Sequence, residues 1–270
     1  MLVTSKQMLL DAQAGGYAVG AFNIENMEMA QAAIAAAEAL RSPILLQTTP
    51  GTLKYADAAL YLANVRALAE AATVPVAMHL DHGSSFQQAM SVYRAGYTSI
   101  MIDGSKLPFE ENIALTAKVA EVCHCGNVPV EAELGMVGGK EDGMEGGNMD
   151  IYTDPDQAAE FVQRTGVDFL AVGIGTAHGV YKGEPKLDVE RLSQIRAKVS
   201  VPLVLHGTSG VPDDVVRDCI RRGICKVNYA TDLRIAYTKA VRETLENDPA
   251  IIDPKKFGAA GRKAVQACVE

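Results

Sequence analysis

Asp81 and His82 stand where the apolar run Val74-Pro75-Val76-Ala77-Met78 gives way to His79-Leu80-Asp81-His82-Gly83, just before a helical stretch at 85–95. A carboxylate beside an imidazole can supply a proton-transferring group and a metal ligand within one turn. Asp-His pairs are common, and in isolation this one reads as a loop with a satisfied histidine. Its weight comes from later apolar runs that end in the same way. Asp103 follows the run 99–102, Glu133 closes 129–134, and His178 follows 169–174. His206 follows 201–205, and Asn228 follows 224–227. Three of the five histidines are in this set, whereas His79, inside its strand, and His124, at a helix end, read as structural. Three neutral imidazoles with one open position form a catalytic zinc arrangement, able to polarise a carbonyl and hold the oxyanion that forms beside it.

Residues so far apart meet only if the fold gathers the ends of the strands. Strand-like runs at 17–22, 43–47, 75–80, 99–102, 129–134, 169–174, 201–205 and 224–227 alternate with helical stretches, without a break in composition. The helices include 27–40, where Met27, Ala30, Ile34 and Ala37 share one face, one running through Tyr61 and Leu68, and 109–123. Others lie at 153–165, 187–198, 212–222 and 232–245, and a short one begins near Phe257. Eight such units predict a (β/α)8 TIM barrel formed as a single domain over 1–270, with a short C-terminal helical extension. The alternative is an open, doubly wound sheet. In a barrel the loops after the strands converge on one mouth, which is where the polar residues stand.

Small-residue turns suggest what the substrate carries. His206-Gly207-Thr208-Ser209-Gly210 precedes a helix, and Asn228-Tyr229-Ala230-Thr231 leads into another; their backbone N–H groups can converge on an anion. Barrels often bind phosphate with the loops after strands seven and eight. The Gly-rich stretch 135–150 has the length of a functional lid and carries Glu141, Asp142 and Glu145 as potential bases. Asp103 and Glu133 could orient histidines or bind metal themselves. Metal, base and phosphate anchor suit enolate chemistry beside a carbonyl, which leaves isomerase and aldolase open.

Composition narrows the partners. A net charge of −8 argues against nucleic acid and anionic membranes, both of which require clustered Lys and Arg. Five cysteines form no disulfide framework, and Cys123-His124-Cys125 lacks the second pair of a zinc clip. After Lys6 only Met8-Leu9-Leu10 precedes Asp11, too short for a signal sequence, and no apolar run approaches a membrane span. The expectation is a soluble cytoplasmic protein.

With these residues placed, the chain resembles the class II, zinc-dependent ketose-bisphosphate aldolases, close to those acting on tagatose and fructose bisphosphates. The resemblance covers nearly the whole length. It rests on Gly20-Ala21-Phe22-Asn23, His79-Leu80-Asp81-His82-Gly83, Met101-Ile102-Asp103-Gly104-Ser105 and Val130-Glu131-Ala132-Glu133-Leu134-Gly135. Further along it rests on Gly138-Gly139-Lys140-Glu141-Asp142, Gly175-Thr176-Ala177-His178-Gly179, Leu205-His206-Gly207-Thr208-Ser209-Gly210 and Lys226-Val227-Asn228.

The resemblance implies that His82, His178 and His206 hold a catalytic Zn2+, with Asp103 and Glu133 near the metal and able to hold a second ion. Asp81 corresponds to the acid/base at the C4 hydroxyl, and Glu141 to the lid carboxylate that moves the C3 proton. Asn23, Gly179, Gly207, Thr208, Ser209, Asn228, Tyr229, Ala230 and Thr231 correspond to substrate-binding positions, with Thr49 facing the sugar. A Na+ or K+ near the phosphate and a homodimer or homotetramer are further implications. Thr208 departs from the usual Gly or Ala, and the chain stops at Glu270, short of a basic, Gly/Ser-rich tail. The implied reaction is reversible cleavage of a ketose 1,6-bisphosphate to dihydroxyacetone phosphate and glyceraldehyde 3-phosphate. Alternatives are the same mechanism on another phosphorylated ketose or sugar acid, as in inositol breakdown, and a catalytically silent barrel that binds sugar phosphate.

Overall fold

A computed structural model describes residues 1–141, 144–145, 152–181 and 183–270, with the backbone alone at 140, 141, 144 and 145. The chain opens with α1 (Ser5–Gly15), β1 (Val19–Asn23), α2 (Met27–Leu40) and β2 (Ile44–Thr48). Two helices, α3 (Pro50–Tyr55) and α4 (Ala58–Ala71), precede β3 (Val76–Gly83), α5 (Phe86–Ala95) and β4 (Ser99–Ile102). Next come α6 (Phe109–Cys125), β5 (Val130–Leu134), β6 (Gly138–Glu141), β7 (Met144–Glu145), α7 (Pro155–Thr165), β8 (Phe169–Val172) and β9 (Ala177–His178). The remainder is α8 (Val189–Lys198), β10 (Leu203–Leu205), α9 (Asp213–Arg221), β11 (Ile224–Tyr229), α10 (Thr231–Asn247) and α11 (Pro254–Val269).

Eight parallel strands close into a barrel in the order β1, β2, β3, β4, β5, β8, β10, β11 and back to β1. This is the (β/α)8 arrangement, and the open sheet is excluded by the pairing of β11 with β1. Alternate residues of each strand serve two cores. Outward residues such as Ile44, Leu46, Ile100, Leu170 and Leu203 pack in the cluster shared with the helices. Inward residues Val19, Ala21, Leu45, Ala77, Met101, Phe169, Ala171 and Val204 form a second cluster with Met8, Leu9 and Ala12 of α1. Helix α1 therefore packs on the barrel interior, a role that the short apolar string at Met8 does not announce.

Side-chain caps fix where helices begin. Asn26, Asp57, Ser85, Asp154, Asp188 and Asp253 each accept from a backbone N–H of the first turn. Asp253 with Pro254 starts α11 three residues before the expected Phe257, and at 16 residues it is not short; it packs across α10 and α2. The stretch expected to be an irregular lid contains β6 and β7, paired antiparallel, with β6 also pairing parallel to β9. Among the described residues no helix is long and apolar enough to cross a membrane.

Candidate active site

Two irregularities in the barrel strands determine which side chains reach its mouth. In a regular strand neighbouring residues face opposite sides. The β3–β4 register shifts between Leu80 and Gly83, and His82 adopts φ 49°, in the left-handed region. That conformation costs a non-glycine residue about 1–2 kcal/mol and lets adjacent Asp81 and His82 serve the same site. A second shift, between β10 and β11, leaves Cys225 in the inner core cluster and Lys226 also buried inside.

The three predicted histidines meet. His82 and His206 lie edge to face with ring centroids 4.7 Å apart, and His178 is 5.0 Å from His82. One ring nitrogen from each lies within 4.8 Å of those of the other two. His82 Nδ1 is 2.8 Å from Asp103 Oδ2, and His206 Nε2 is 2.8 Å from Glu131 Oε1. Those contacts take the ring N–H groups, so His82 Nε2 and His206 Nδ1 face each other at 2.9 Å as acceptors. Two lone pairs so placed suit a cation between them. Buried Glu133 Oε2 has no hydrogen-bond partner among the described residues, and lies 4.0 Å from His82 Nδ1 and 3.8 Å from His206 Nδ1. His82, Asp103 and Glu133 form a second set able to hold an ion. The donor chemistry fits a divalent metal.

Electrostatics separates neutral imidazoles from carboxyls that are shifted in opposite directions. Burial drives His178 and His206 well below the usual imidazole range, so both are neutral at pH 7. Burial alone would raise Asp81, but the neighbouring His82, His206 and Lys226 outweigh it and hold the carboxyl below its ordinary range. With His206 kept neutral by burial, the standing positive charge there is the Lys226 ammonium. Three amides also grip Asp81: Asn23 Nδ2 at 3.2 Å and Gln47 Nε2 at 3.3 Å donate to Oδ2, and Asn228 Nδ2 at 3.2 Å donates to Oδ1. Asp103 is likewise pulled down, its burial more than offset by His82 and by Ser105. Glu133 goes the other way, pushed up to about 8 by burial and by the charge of Asp103.

Beside the histidines lies a pocket lined by Asp81, His178, Arg234 and eight of the ten predicted substrate positions: Asn23, Gly179, Gly207, Thr208, Ser209, Asn228, Ala230 and Thr231. Ser209 Oγ accepts from the N–H groups of Ala230 and Asp232, tying the turn after β10 to the start of α10. Tyr181 bridges the other side, accepting from Ala177 N and donating to Gly207 O, both at 2.8 Å. Two predicted positions lie elsewhere. Thr49 caps α3, accepting from Thr52 N, and Tyr229 faces outward from β11, stacked on Phe22 at 5.9 Å. The alternation of β11 sends Asn228 inward and its neighbour out.

The backbone of Glu141 ends β6, but its side chain, like Asp142 and the side chain of Glu145, lies outside the described residues. The two histidines read as structural each hold a partner through one ring nitrogen: His79 Nδ1 is 2.7 Å from Ser99 Oγ, and His124 Nε2 is 2.8 Å from Asp168. Five site-forming residues had no part in the expected constellation: Gln47, Glu131, Tyr181, Lys226 and Arg234. A polar residue at an inward position of an otherwise apolar strand was the available signal for Gln47, Glu131 and Lys226.

Comparison with known proteins matches this geometry to one family. The family model for class II fructose-bisphosphate aldolase matches residues 3–270. A fructose-bisphosphate aldolase from Geobacillus stearothermophilus is 48% identical over 271 residues, 99% of this chain and 94% of the relative. The solved YdjI aldolase of Escherichia coli K12 superposes with a TM-score of 0.89 at 39% identity, over 100% of this chain and 95% of the other. The Campylobacter jejuni fructose-bisphosphate aldolase, at 24% identity, shares the fold with a TM-score of 0.81 over 100% and 93% of the two chains.

Proposed function

Because this chain belongs to the class II fructose-bisphosphate aldolase family, we propose that it is a zinc-dependent enzyme that reversibly cleaves fructose or tagatose 1,6-bisphosphate. The products are dihydroxyacetone phosphate and glyceraldehyde 3-phosphate. Membership makes the protein an aldolase, a carbon–carbon lyase. The finer reading is carried by one observation: three imidazoles converge beside an ionised Asp81 at the edge of a pocket built from two backbone turns.

His82, His178 and His206 would hold the zinc, which supplies Lewis acidity at the substrate carbonyl. Asp81 takes the proton of the C4 hydroxyl as the C3–C4 bond breaks, and returns it in the condensation direction. Its three amide donors keep the carboxylate aimed while the proton moves. The electron pair of the broken bond passes to the dihydroxyacetone phosphate half, whose C3 is then protonated, a step assigned to Glu141 by its place in the family motif. Backbone N–H groups of Gly207 to Ser209 and of the start of α10 oppose the phosphate of that half, with Arg234 as a cation in the same pocket. The reading includes a Na+ or K+ near the phosphate, a second ion at Asp103 and Glu133, and a homodimer or homotetramer. A Schiff-base route through Lys226 is disfavoured, since its ammonium is fully buried and paired with Glu131 at 2.9 Å.

The test is cleavage of both bisphosphates by chelator-stripped and zinc-restored protein. Cleavage of one sugar, only with zinc, is the expected result. Full turnover by stripped protein would overturn the metal assignment. Binding without cleavage by zinc-loaded protein would replace the enzyme with a silent sugar-phosphate barrel.

A further inference from the structure

Beneath the pocket lies a group of buried ionisable side chains that the proposed chemistry leaves unused: Glu131, Lys226 and His79, each fully buried. Replacing a buried ion pair by apolar residues of similar size is often neutral or stabilising, so stability alone is a weak reason for this one. Its directionality suggests another. Ser5 Oγ donates to Ser99 Oγ at 2.7 Å, which leaves the Ser99 hydroxyl proton for His79 Nδ1, also at 2.7 Å. His79 must then carry its proton on Nε2, which faces Glu131 Oε2 at 3.7 Å. Lys226 Nζ meets the same oxygen at 2.9 Å, while Glu131 Oε1 takes the Nε2–H of His206 at 2.8 Å. The chain from α1 thus ends beside the Glu131 carboxylate: His206 hydrogen-bonds its Oε1, while His79 Nε2 and Lys226 Nζ lie near its Oε2 as charge neighbours without a hydrogen bond.

We propose that Glu131, anchored by Lys226 and by the Ser5–Ser99–His79 chain, is the positioning residue that fixes the tautomer and direction of His206 and thereby sets the metal affinity of the site. This rests on the reading of His206 as a metal ligand. A carboxylate on the far nitrogen leaves Nδ1 as the lone pair presented to the ion and stops the ring from rotating. Asp103 does the same for His82 from the solvent side, where its side chain is 17% exposed; Glu131 does it from inside the barrel, where no water competes. Lys226 balances the Glu131 charge at a depth where a lone carboxylate would be costly. Neither residue lines the substrate pocket, so their effect reaches the reaction through the metal site.

The experiment measures Zn2+ affinity by competition with a chelating dye for the full-length wild type, Glu131→Gln, and the double variant Glu131→Gln/Lys226→Met. The cobalt-substituted absorption spectrum and the melting temperature of the metal-free proteins are recorded alongside. Loss of such a partner weakens metal binding by roughly 10- to 100-fold. Both variants are expected to show that loss and altered cobalt bands, with the double variant melting close to wild type because no unpaired charge remains inside. Thr153→Val, whose hydroxyl bonds away from the histidines, serves as a destabilised control that keeps wild-type affinity. Should Glu131→Gln fail to fold, the double variant decides. Zinc affinity within threefold of wild type in a folded variant overturns the proposal. Failure of the underlying reading looks different: wild-type affinity would then survive His206→Ala.

Discussion

Gly139 of β6 runs so close to His178 of β9 that a Cβ added to it would strike the His178 carbonyl oxygen and lie 2.8 Å from the His178 nitrogen. Its φ of 83° is one that side chains rarely adopt. The β6–β7 hairpin and one of the three clustered histidines are thus backbone to backbone. Gly207 presses from another side, where a Cβ would lie 2.7 Å from Ala177 O at a φ of 64°. Gly139→Ala is expected to displace His178 and lower the zinc retained after dialysis against chelator. Gly138→Ala, whose nearest neighbour would be Ala177 Cβ at 3.7 Å, is expected to retain wild-type zinc. Equal zinc content in the two variants would show that the contact does not hold the histidine.

Asp81→Asn keeps the size of the side chain but removes its ability to take a proton. General acid–base groups contribute typically 10²–10⁴-fold to rate, and a kcat loss of about that size is expected for cleavage, with zinc content unchanged. Metal analysis on the same sample separates the two effects. A loss of zinc in step with activity would make Asp81 a determinant of the metal site instead.

The sequence carried the barrel because buried parallel strands and their helices leave strong, local patterns, and it carried the histidines because each follows an apolar run. The rest depended on relations between distant positions. Gln47 closes Ile44-Leu45-Leu46 and looks like the end of an apolar strand; only the register with Asn23 and His79 shows it facing Asp81. Lys226 and Glu131 neutralise each other across the barrel, a pairing invisible along the chain. Tyr181 matters because it bridges Ala177 and Gly207, and α1 because the barrel needs filling from below. The β6–β7 hairpin has no apolar alternation, since its β6 is anchored through backbone pairing to β9. Nor does the sequence announce the left-handed backbone at His82, because histidine, although enriched among the non-glycine residues found there, still adopts it in only a small minority of cases.

Thr153 joins the ends of two barrel strands, β5 and β8. Its buried hydroxyl donates to Leu134 O and accepts from Gly173 N at 2.8 Å. Thr153→Val keeps the shape and strands both partners, of which the Gly173 N–H retains only a 3.4 Å contact to Leu134 O. Leaving a buried polar group unpaired costs about 1–3 kcal/mol, so a loss of about 2 kcal/mol is expected in urea unfolding. The measurement must be made at fixed zinc, because a bound metal adds its own stabilisation.

The cysteines divide by burial. Burial pushes the Cys123 and Cys219 thiols up to about 11 and raises Cys225 as well. At pH 8 a thiol with a pKa near 11 is only about one part in a thousand thiolate, the reactive form. Native protein treated with iodoacetamide at pH 8 is expected to take label at exposed Cys125, then more slowly at Cys268, whose partial burial also raises its thiol. Unfolded protein should take five labels. Early modification of Cys219, seen by peptide mass analysis, would mean that its helix opens on the labelling timescale.

Arg234 reaches the pocket beside the histidines from α10 while its guanidinium is held by Glu25, with Nη2 at 2.5 Å and Nε at 2.8 Å from Oε1. Glu25 is itself fixed by the Thr52 hydroxyl, 2.8 Å from its other oxygen. A cation steadied this way faces a phosphate at little entropic cost, and hydrogen bonds to charged groups contribute about 1.5–3 kcal/mol, roughly 10- to 150-fold in affinity. Arg234→Met is therefore expected to raise KM for the bisphosphate by at least about tenfold with a smaller change in kcat. Arg234→Lys should recover only part of the loss, since an ammonium cannot satisfy Glu25 and phosphate with the same planar fork. If kcat fell while KM held, Arg234 would be stabilising charge that appears only as the C3–C4 bond breaks, and its place would be in the chemistry rather than in binding.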